Sequence, residues 1–367
     1  MEKFMCKVVK MESENFLHMN KGDGETSYAK NSTIQKYAIT KTWVILDETL
    51  KNMVDNEIFE ECCFKMVDFG CASGPNTLLV ASHIVDTLQN FGDRFQEIQV
   101  FLNDLPDNDF NNLFKLLQNF YQEKGTKMKQ QCFVYGSPGS FYDRKFPRKS
   151  MHFAYSSYSI HWLSKVPEGL EDNKENIYIA MTSPAKVLEA YANQFRRDFS
   201  KFLSARGEEF VCSGRMVLSL AGRPIEDTSS IDENEHCILA EILHDMVVEG
   251  LIKKDDLYSF NVPIYTPCPQ EVETIISDEG SFTLDRMDGY PVLWDPSQDV
   301  EGLLFEKMRS AKVVADGLRA VLEPLLASHF GGIMNYNVVF EKYAEKLAEH
   351  LSKEPSIFTI AISLRRK

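Results

Sequence analysis

Short apolar runs alternate with segments of helical period along the first part of the chain. Residues 64–67, 98–102, 131–135, 151–155 and 215–221 read as short buried strands, each bounded by glycine, proline, serine, asparagine or aspartate. Residues 176–180 read as a further short strand. Residues 78–88, and a stretch from about 183 to 206, repeat their apolar positions with the helical period, and Tyr28, Ser32 and Gln35 fall at helical spacing on a segment running to about 52. Such alternation predicts an α/β fold with a mostly parallel sheet. Beyond Gly222 the pattern changes. Residues 223–234 are polar and loop-like, 236–249 are helical, 253–263 form a connector, and 303–328 and 332–351 carry long helical patterns. Residues 281–285 and 357–364 read as late strands returning to the sheet. The expected division is an α/β unit of 1–222, about 264–300 and 352–367, with a helical cap of about 223–263 and 301–351.

The strand at 64–67 runs into V-D-F-G-C-A-S-G-P-N-T, residues 67–77. An acid, Asp68, precedes a turn of small residues that includes Gly70 and Gly74. Glycines let a backbone turn sharply and approach a ligand, and a helix start offers free N–H groups. This is either an ordinary tight β–α turn or a nucleotide-type site at the carboxyl edge of a parallel sheet. Gly70 and Gly74 stand four apart with no third glycine, so the G-x-G-x-x-G fingerprint of a nicotinamide-dependent oxidoreductase is not met. Asp104 ends the next strand, where it suits a ribose diol or caps a turn. If the turn after the fourth strand is helical, Tyr158, His161 and Trp162 share a face. They then form either a wall with few N–H donors, suited to a small apolar molecule with an anionic group, or a core aromatic cluster. Asp107 and Asp109 read as a solvated turn rather than a catalytic pair.

The composition narrows the function classes. Of 367 residues, 44% are hydrophobic and 26% charged, ordinary for a globular protein, and the formal charge of −14 disfavours a nucleic-acid backbone or an anionic membrane as partner. The first ten residues have no continuous apolar core of a secretion signal, so a cytoplasmic location is expected. Eight cysteines (6, 62, 63, 71, 132, 212, 237 and 268) have neither C-x-x-C nor Cys/His finger spacing, which suits reduced thiols.

Several stretches together resemble the plant SABATH family of S-adenosylmethionine-dependent methyltransferases, which includes salicylate and benzoate carboxyl methyltransferases and caffeine synthase relatives. They are G-x-G-E-T-S-Y-A-x-N-S from Gly22 to Ser32, D-F-G-C-A-S-G-P-N-T, F-L-N-D-L-P-x-N-D-F-N from Phe101 to Asn111, G-S-F-Y-x-R-x-F-P from Gly139 to Pro147, and S-S-Y-S-I-H-W-L-S from Ser156. The resemblance implies a class I (Rossmann-like) methyltransferase fold with a helical cap. It implies that Tyr28, Ser32, Asp68, Gly70, Cys71, Asn76, Asp104, Leu105, Ser140 and Phe141 surround S-adenosylmethionine. It implies that Gln35, Tyr158, His161, Trp162, Leu318, Val321 and Phe358 line the acceptor pocket. Glu235 and His236 stand where salicylate-type members are apolar; they face either the pocket, giving it a polar far end, or solvent. Some relatives bind magnesium at positions matching Asn173, Phe260 and Asn261, but Tyr258 replaces the usual aspartate. The implied reaction is O-methylation of a small carboxylic acid, with N-methylation of a purine alkaloid as the alternative, by a homodimer.

Overall fold

Each of the five early apolar runs becomes a strand, and their burial explains why they pair in parallel. β1 (Cys63–Phe69) is buried along most of its length, as a strand covered on both faces must be. It pairs in parallel with β2 (Glu97–Asp104) and β4 (Met151–Ser157), β3 (Cys132–Pro138) pairs with β2, and β5 (Phe210–Ala221) pairs with β4. β6 (Phe282–Leu293) and β7 (Ser356–Arg366) are antiparallel additions, with β7 between β5 and β6. The computed structural model describes residues 17–56, 63–92, 95–174, 176–225, 235–295, 307–350 and 356–367. Among these the sheet has seven strands in the order β3-β2-β1-β4-β5-β7-β6. Strand order reverses between β1 and β4, and there a parallel sheet opens a crevice at its carboxyl edge.

The helices are α1 (Tyr28–Asn31), α2 (Thr33–Lys41), α3 (Trp43–Asn56), α4 (Asn76–Gln89), α5 (Phe110–Gln131), α6 (Ala185–Glu209), α7 (Glu235–Val248), α8 (Lys254–Ser259), α9 (Pro269–Glu279), α10 (Lys307–Phe330) and α11 (Tyr336–His350). Leu46 and Leu50 of α3 and Ile84 and Val85 of α4 bury one face of the sheet with Met66 and Val100. On the other face Phe195 and Phe199 of α6 join Val67 and Met216, and the same apolar cluster continues through Leu239, Leu322 and Phe340 of α7, α10 and α11. The architecture is the mostly parallel, Rossmann-like one that the resemblance implied.

The structure departs from the sequence reading in several places. Residues 176–180 form no strand. The Ile177 carbonyl accepts from the Val262 N–H at 2.8 Å, the Tyr178 carbonyl from Asn173 Nδ2 at 3.1 Å, and the Ala180 N–H donates to Ser183 Oγ at 3.0 Å, so scattered loop contacts satisfy this backbone where a ladder was expected. The single helix expected over 28–52 is three, interrupted at Ser32 and Thr42. The 253–263 connector contains α8, and α9 was not foreseen, although Pro269 at its first turn and Glu271 in a capping box mark its start. The N-terminal residues weighed as a leader, the polar residues 226–234, the start of the 303–328 pattern and the Glu235 side chain lie outside the described residues.

Candidate active site

At the end of β1 the chain turns on Gly70, whose φ is +75°. A Cβ there would stand 2.1 Å from Ser159 Oγ, so only glycine fits between β1 and the segment after β4. The Gly70 and Cys71 N–H groups both donate to the Asn103 carbonyl, at 2.9 and 3.0 Å. Ala72 is also left-handed, and its N–H donates to Asp104 Oδ2 at 2.7 Å, while the Leu105 N–H donates to Oδ1 at 2.7 Å. Two backbone bonds thus hold the carboxylate in place and leave further lone pairs for a ligand. Burial pushes the Asp104 carboxyl up to about 6, and these two bonds oppose the shift. Asn108 Nδ2 donates to the Ala72 carbonyl at 3.0 Å and Asn112 Nδ2 to that of Ser73 at 2.9 Å. Asp109 caps the start of α5 through the Asn112 N–H at 3.0 Å and holds the Gly22 N–H at 3.0 Å. It ties the early glycine loop to the sheet edge.

A cavity of about 1400 Å³, counted out to its open mouth, lies above this edge. Of the residues expected around a methyl donor, Tyr28, Gly70, Asp104, Leu105, Ser140 and Phe141 line it. The other four stand behind that wall. Asn76 Nδ2 donates to the Ser32 carbonyl and hydroxyl, at 3.1 and 3.0 Å, joining α4 to the α1–α2 break. Thr77 Oγ1 donates to Asp68 Oδ2 at 2.5 Å, while burial pushes the Asp68 carboxyl up to about 7. Cys71 is buried, and burial raises its thiol well above the ordinary range.

The same cavity is lined by Gln35, Tyr158, His161, Trp162, His236, Leu318 and Val321. The turn after β4 is not helical. Tyr158 has φ +53°, and Trp162 makes an antiparallel bridge with Ile264. The three aromatic residues nevertheless adjoin, with ring centroids 5.8 Å apart for Tyr158–His161 and 6.3 Å for His161–Trp162. An irregular turn, tied back by the Tyr158 N–H to the Ser219 carbonyl at 2.8 Å, does what a helical face was expected to do. The Tyr158 hydroxyl is hydrogen-bonded to Thr359 Oγ1 at 2.6 Å.

His161 Nδ1 accepts from the Ala221 N–H at 3.1 Å, and burial lowers the imidazole to about 3. The ring is therefore neutral with its proton on Nε2, a donor and not a base. Burial likewise lowers His236 to about 4; it packs against Tyr178 with centroids 4.9 Å apart. The Gln35 side-chain oxygen is buried and has no partner in the protein. No lysine or arginine lines the cavity among the described residues. Phe358 does not reach it. Its ring packs over Gly289 of β6, where a Cβ would stand 2.6 Å from the Phe358 Cζ, and strand alternation turns Ile357 to the cavity instead.

Sequence reasoning passed over Leu17, His18 and Met19, which precede the glycine loop and line the cavity, and Tyr142, whose hydroxyl donates to the Trp162 carbonyl at 2.5 Å. Tyr142 sits inside the quoted G-S-F-Y-x-R-x-F-P motif, which is the signal that could have found it. The expected metal site does not fit its ion. Asn173 Nδ2 donates to Asn261 Oδ1 at 3.1 Å, and the Asn173 oxygen accepts from Ser183 Oγ at 2.7 Å. Both amide oxygens are thus engaged by protein donors, and Tyr258, beneath the Lys254 ammonium, brings no carboxylate for magnesium. The methyl donor, by contrast, fits: Gly70, Ala72 and Asp104 line the cavity together, and two backbone N–H groups fix the Asp104 carboxylate there.

Residues 14–367 match the family model described as SAM dependent carboxyl methyltransferase. The chain is similar to a probable jasmonic acid carboxyl methyltransferase 1 of Theobroma cacao, 43% identical with 97% of this chain and 100% of that one covered. It is 42% identical to benzoic acid/salicylic acid carboxyl methyltransferase 3 of Petunia hybrida, covering 97% of this chain and 99% of that one. Among solved structures it resembles loganic acid methyltransferase with SAH, at a TM-score of 0.82 and 33% identity, over 95% of this chain and 98% of that one.

Proposed function

The chain belongs to the plant SABATH family of S-adenosylmethionine-dependent carboxyl methyltransferases, and on that premise we propose that it forms the methyl ester of a small, mostly apolar carboxylic acid with an oxygen-bearing far end. When bound, S-adenosylmethionine supplies an electrophilic methyl group on a sulfonium. The residues of the sheet edge, with Asp104 foremost, hold that donor through its ribose hydroxyls. Gln35, His161 and Trp162 hold the acceptor carboxylate by neutral N–H donors.

One observation carries the reading: a cavity with neutral donors on an apolar wall and no lysine or arginine among its described lining residues. Neutral donors orient a carboxylate and leave a lone pair reactive, whereas a lysine or arginine would hold that lone pair in an ion pair. A carboxylate is ionised at neutral pH, so no side chain need take a proton, which agrees with a His161 that is already protonated on Nε2. The chain's task is approach geometry and exclusion of water. His236, neutral and on the cavity wall, suits a hydroxyl or carbonyl at the acceptor's far end. The relatives are named for jasmonic, benzoic, salicylic and loganic acids, and the oxygen-bearing ones among these are the favoured models. A cytoplasmic homodimer completes the proposal; among the described residues no helix is long and apolar enough to cross a membrane.

A panel of carboxylic acids and xanthines with labelled methyl donor tests it. Label should appear as methyl ester, with oxygenated acids ahead of benzoate, and His236→Phe should narrow that preference. Label found only on xanthine nitrogens would overturn the carboxylate assignment.

A further inference from the structure

The loop between β3 and β4 carries Ser140 and Phe141 to the cavity, yet it contains no helix or strand to hold it there. What holds it is an ion pair beneath it. Arg206 and Glu209, in the last turn of α6, are both fully buried, with Nε 2.7 Å from Oε2. Arg206 Nη1 donates to the Phe141 carbonyl at 2.6 Å and Nη2 to the Asp143 carbonyl at 2.8 Å. Glu209 Oε1 accepts the backbone N–H groups of Lys145 and of Phe146, the latter at 3.0 Å. The guanidinium lies 4.4 Å from the Phe69 ring centroid and 5.0 Å from that of Phe202, clamped between β1 and α6. Four backbone groups of one loop therefore terminate on two side chains of one helix turn.

We propose that Arg206 and Glu209 are a positioning pair for the methyl-donor site, fixing the 139–147 loop so that Ser140 and Phe141 stand against the donor. Neither side chain lines the cavity among the residues that do, so the pair acts through the loop backbone. Buried ion pairs contribute little net stability, and apolar residues of similar volume often replace them without loss. This pair does more than satisfy itself: its planar guanidinium reaches two carbonyls in fixed directions, and its carboxylate answers two N–H groups. Tyr142, next along the loop, carries the same placement to the Trp162 carbonyl.

The inference rests on the reading of Phe141 as part of the donor wall, so Phe141→Ala is measured beside it. In the double variant Arg206→Met/Glu209→Met the melting temperature should fall, because four backbone groups of the loop lose their partners, so binding is measured well below the variant's own transition. The Kd for S-adenosylhomocysteine, by calorimetry, should rise about 10-fold or more as the loop loses its anchors. The donor KM should rise with it, with the acceptor KM changing far less. Arg206→Lys keeps the cation beside Glu209 but loses the fork, and should weaken donor binding to an intermediate degree; it carries the test should the double variant not fold. A folded variant that binds S-adenosylhomocysteine as the parent does, whatever its melting temperature, would overturn the positioning role. If Phe141→Ala also binds normally, the donor-wall reading fails first and the proposal goes with it.

Discussion

The residues proposed to hold the donor and those proposed to hold the acceptor are brought together by different means. The proposed donor side has strand ends and the turns that follow them: Gly70 and Ala72 after β1, Asp104 and Leu105 at the end of β2, and Asn108 on the way into α5. Backbone N–H groups fix Asp104, the one carboxylate among its described lining residues. The proposed acceptor side gathers Gln35 of α2, the turn after β4, His236 of α7, Leu318 and Val321 of α10, and Ile357 of β7. Distant elements build it, with the Ala221 N–H orienting His161, and its polar atoms are neutral. A donor common to many enzymes can be met by backbone geometry, whereas an acceptor that varies is met by side chains on helices packed from distant parts of the chain.

Titration separates the two sides as well. His161 and His236 have folded values of about 3 and about 4, below the ordinary value of 6.5, so the unfolded chain binds more protons over that interval. Their contribution is full above 6.5 and is lost as pH falls toward 4 and 3. Asp68 and Asp104 lie at about 7 and about 6, above the ordinary 3.8. Their contribution is full below 3.8 and is lost as pH rises to 6 and 7. Between pH 4 and 6 the two sides pull stability in opposite directions.

The comparison breaks most readily at Gly70. Gly70→Ala should cost about 3–5 kcal/mol, or abolish folding, because its Cβ meets Ser159 and its backbone is left-handed; urea unfolding measures it. Asp104→Ala should weaken S-adenosylhomocysteine binding by about 2–3 kcal/mol, roughly 30–150-fold, as ribose hydroxyls lose a charged acceptor. Unchanged affinity in calorimetry would remove Asp104 from the donor site. Trp162→Phe keeps the wall and removes one neutral donor, so acceptor KM should rise about 5–10-fold with donor affinity unaltered. If both stay normal, the indole is packing alone. The smallest effect expected is in acid. His236→Phe should make the fall in melting temperature between pH 7 and pH 5 shallower by a few degrees, and Asp104→Asn should make it steeper. Parallel shifts in the two variants would contradict the opposed titrations.

The strands were legible because each is a short apolar run closed by turn residues, and Asp104 because an acid at a strand end is a local pattern. The 176–180 segment misled because Ile177, Tyr178 and Ile179 are all buried without pairing in the sheet. Apolar character reports burial, and burial has other causes than a ladder. Phe358 and Ile357 exchanged roles through strand alternation, where one residue of register reverses the face.

The amino-acid sequence alone determines the α/β order of elements, the obligatory turn at Gly70 and the acid that follows on the next strand, because these depend on local sterics and on periods of burial. Only the tertiary structure decides that Tyr158, His161 and Trp162 adjoin without a helix. It alone makes the His161 Nε2–H the available donor, through an Ala221 N–H sixty residues away that occupies Nδ1. It alone sets the Ser140–Phe141 wall on a buried ion pair at the end of α6. Such features depend on which distant backbone groups meet in a dry interior, and no local pattern in the chain encodes that meeting.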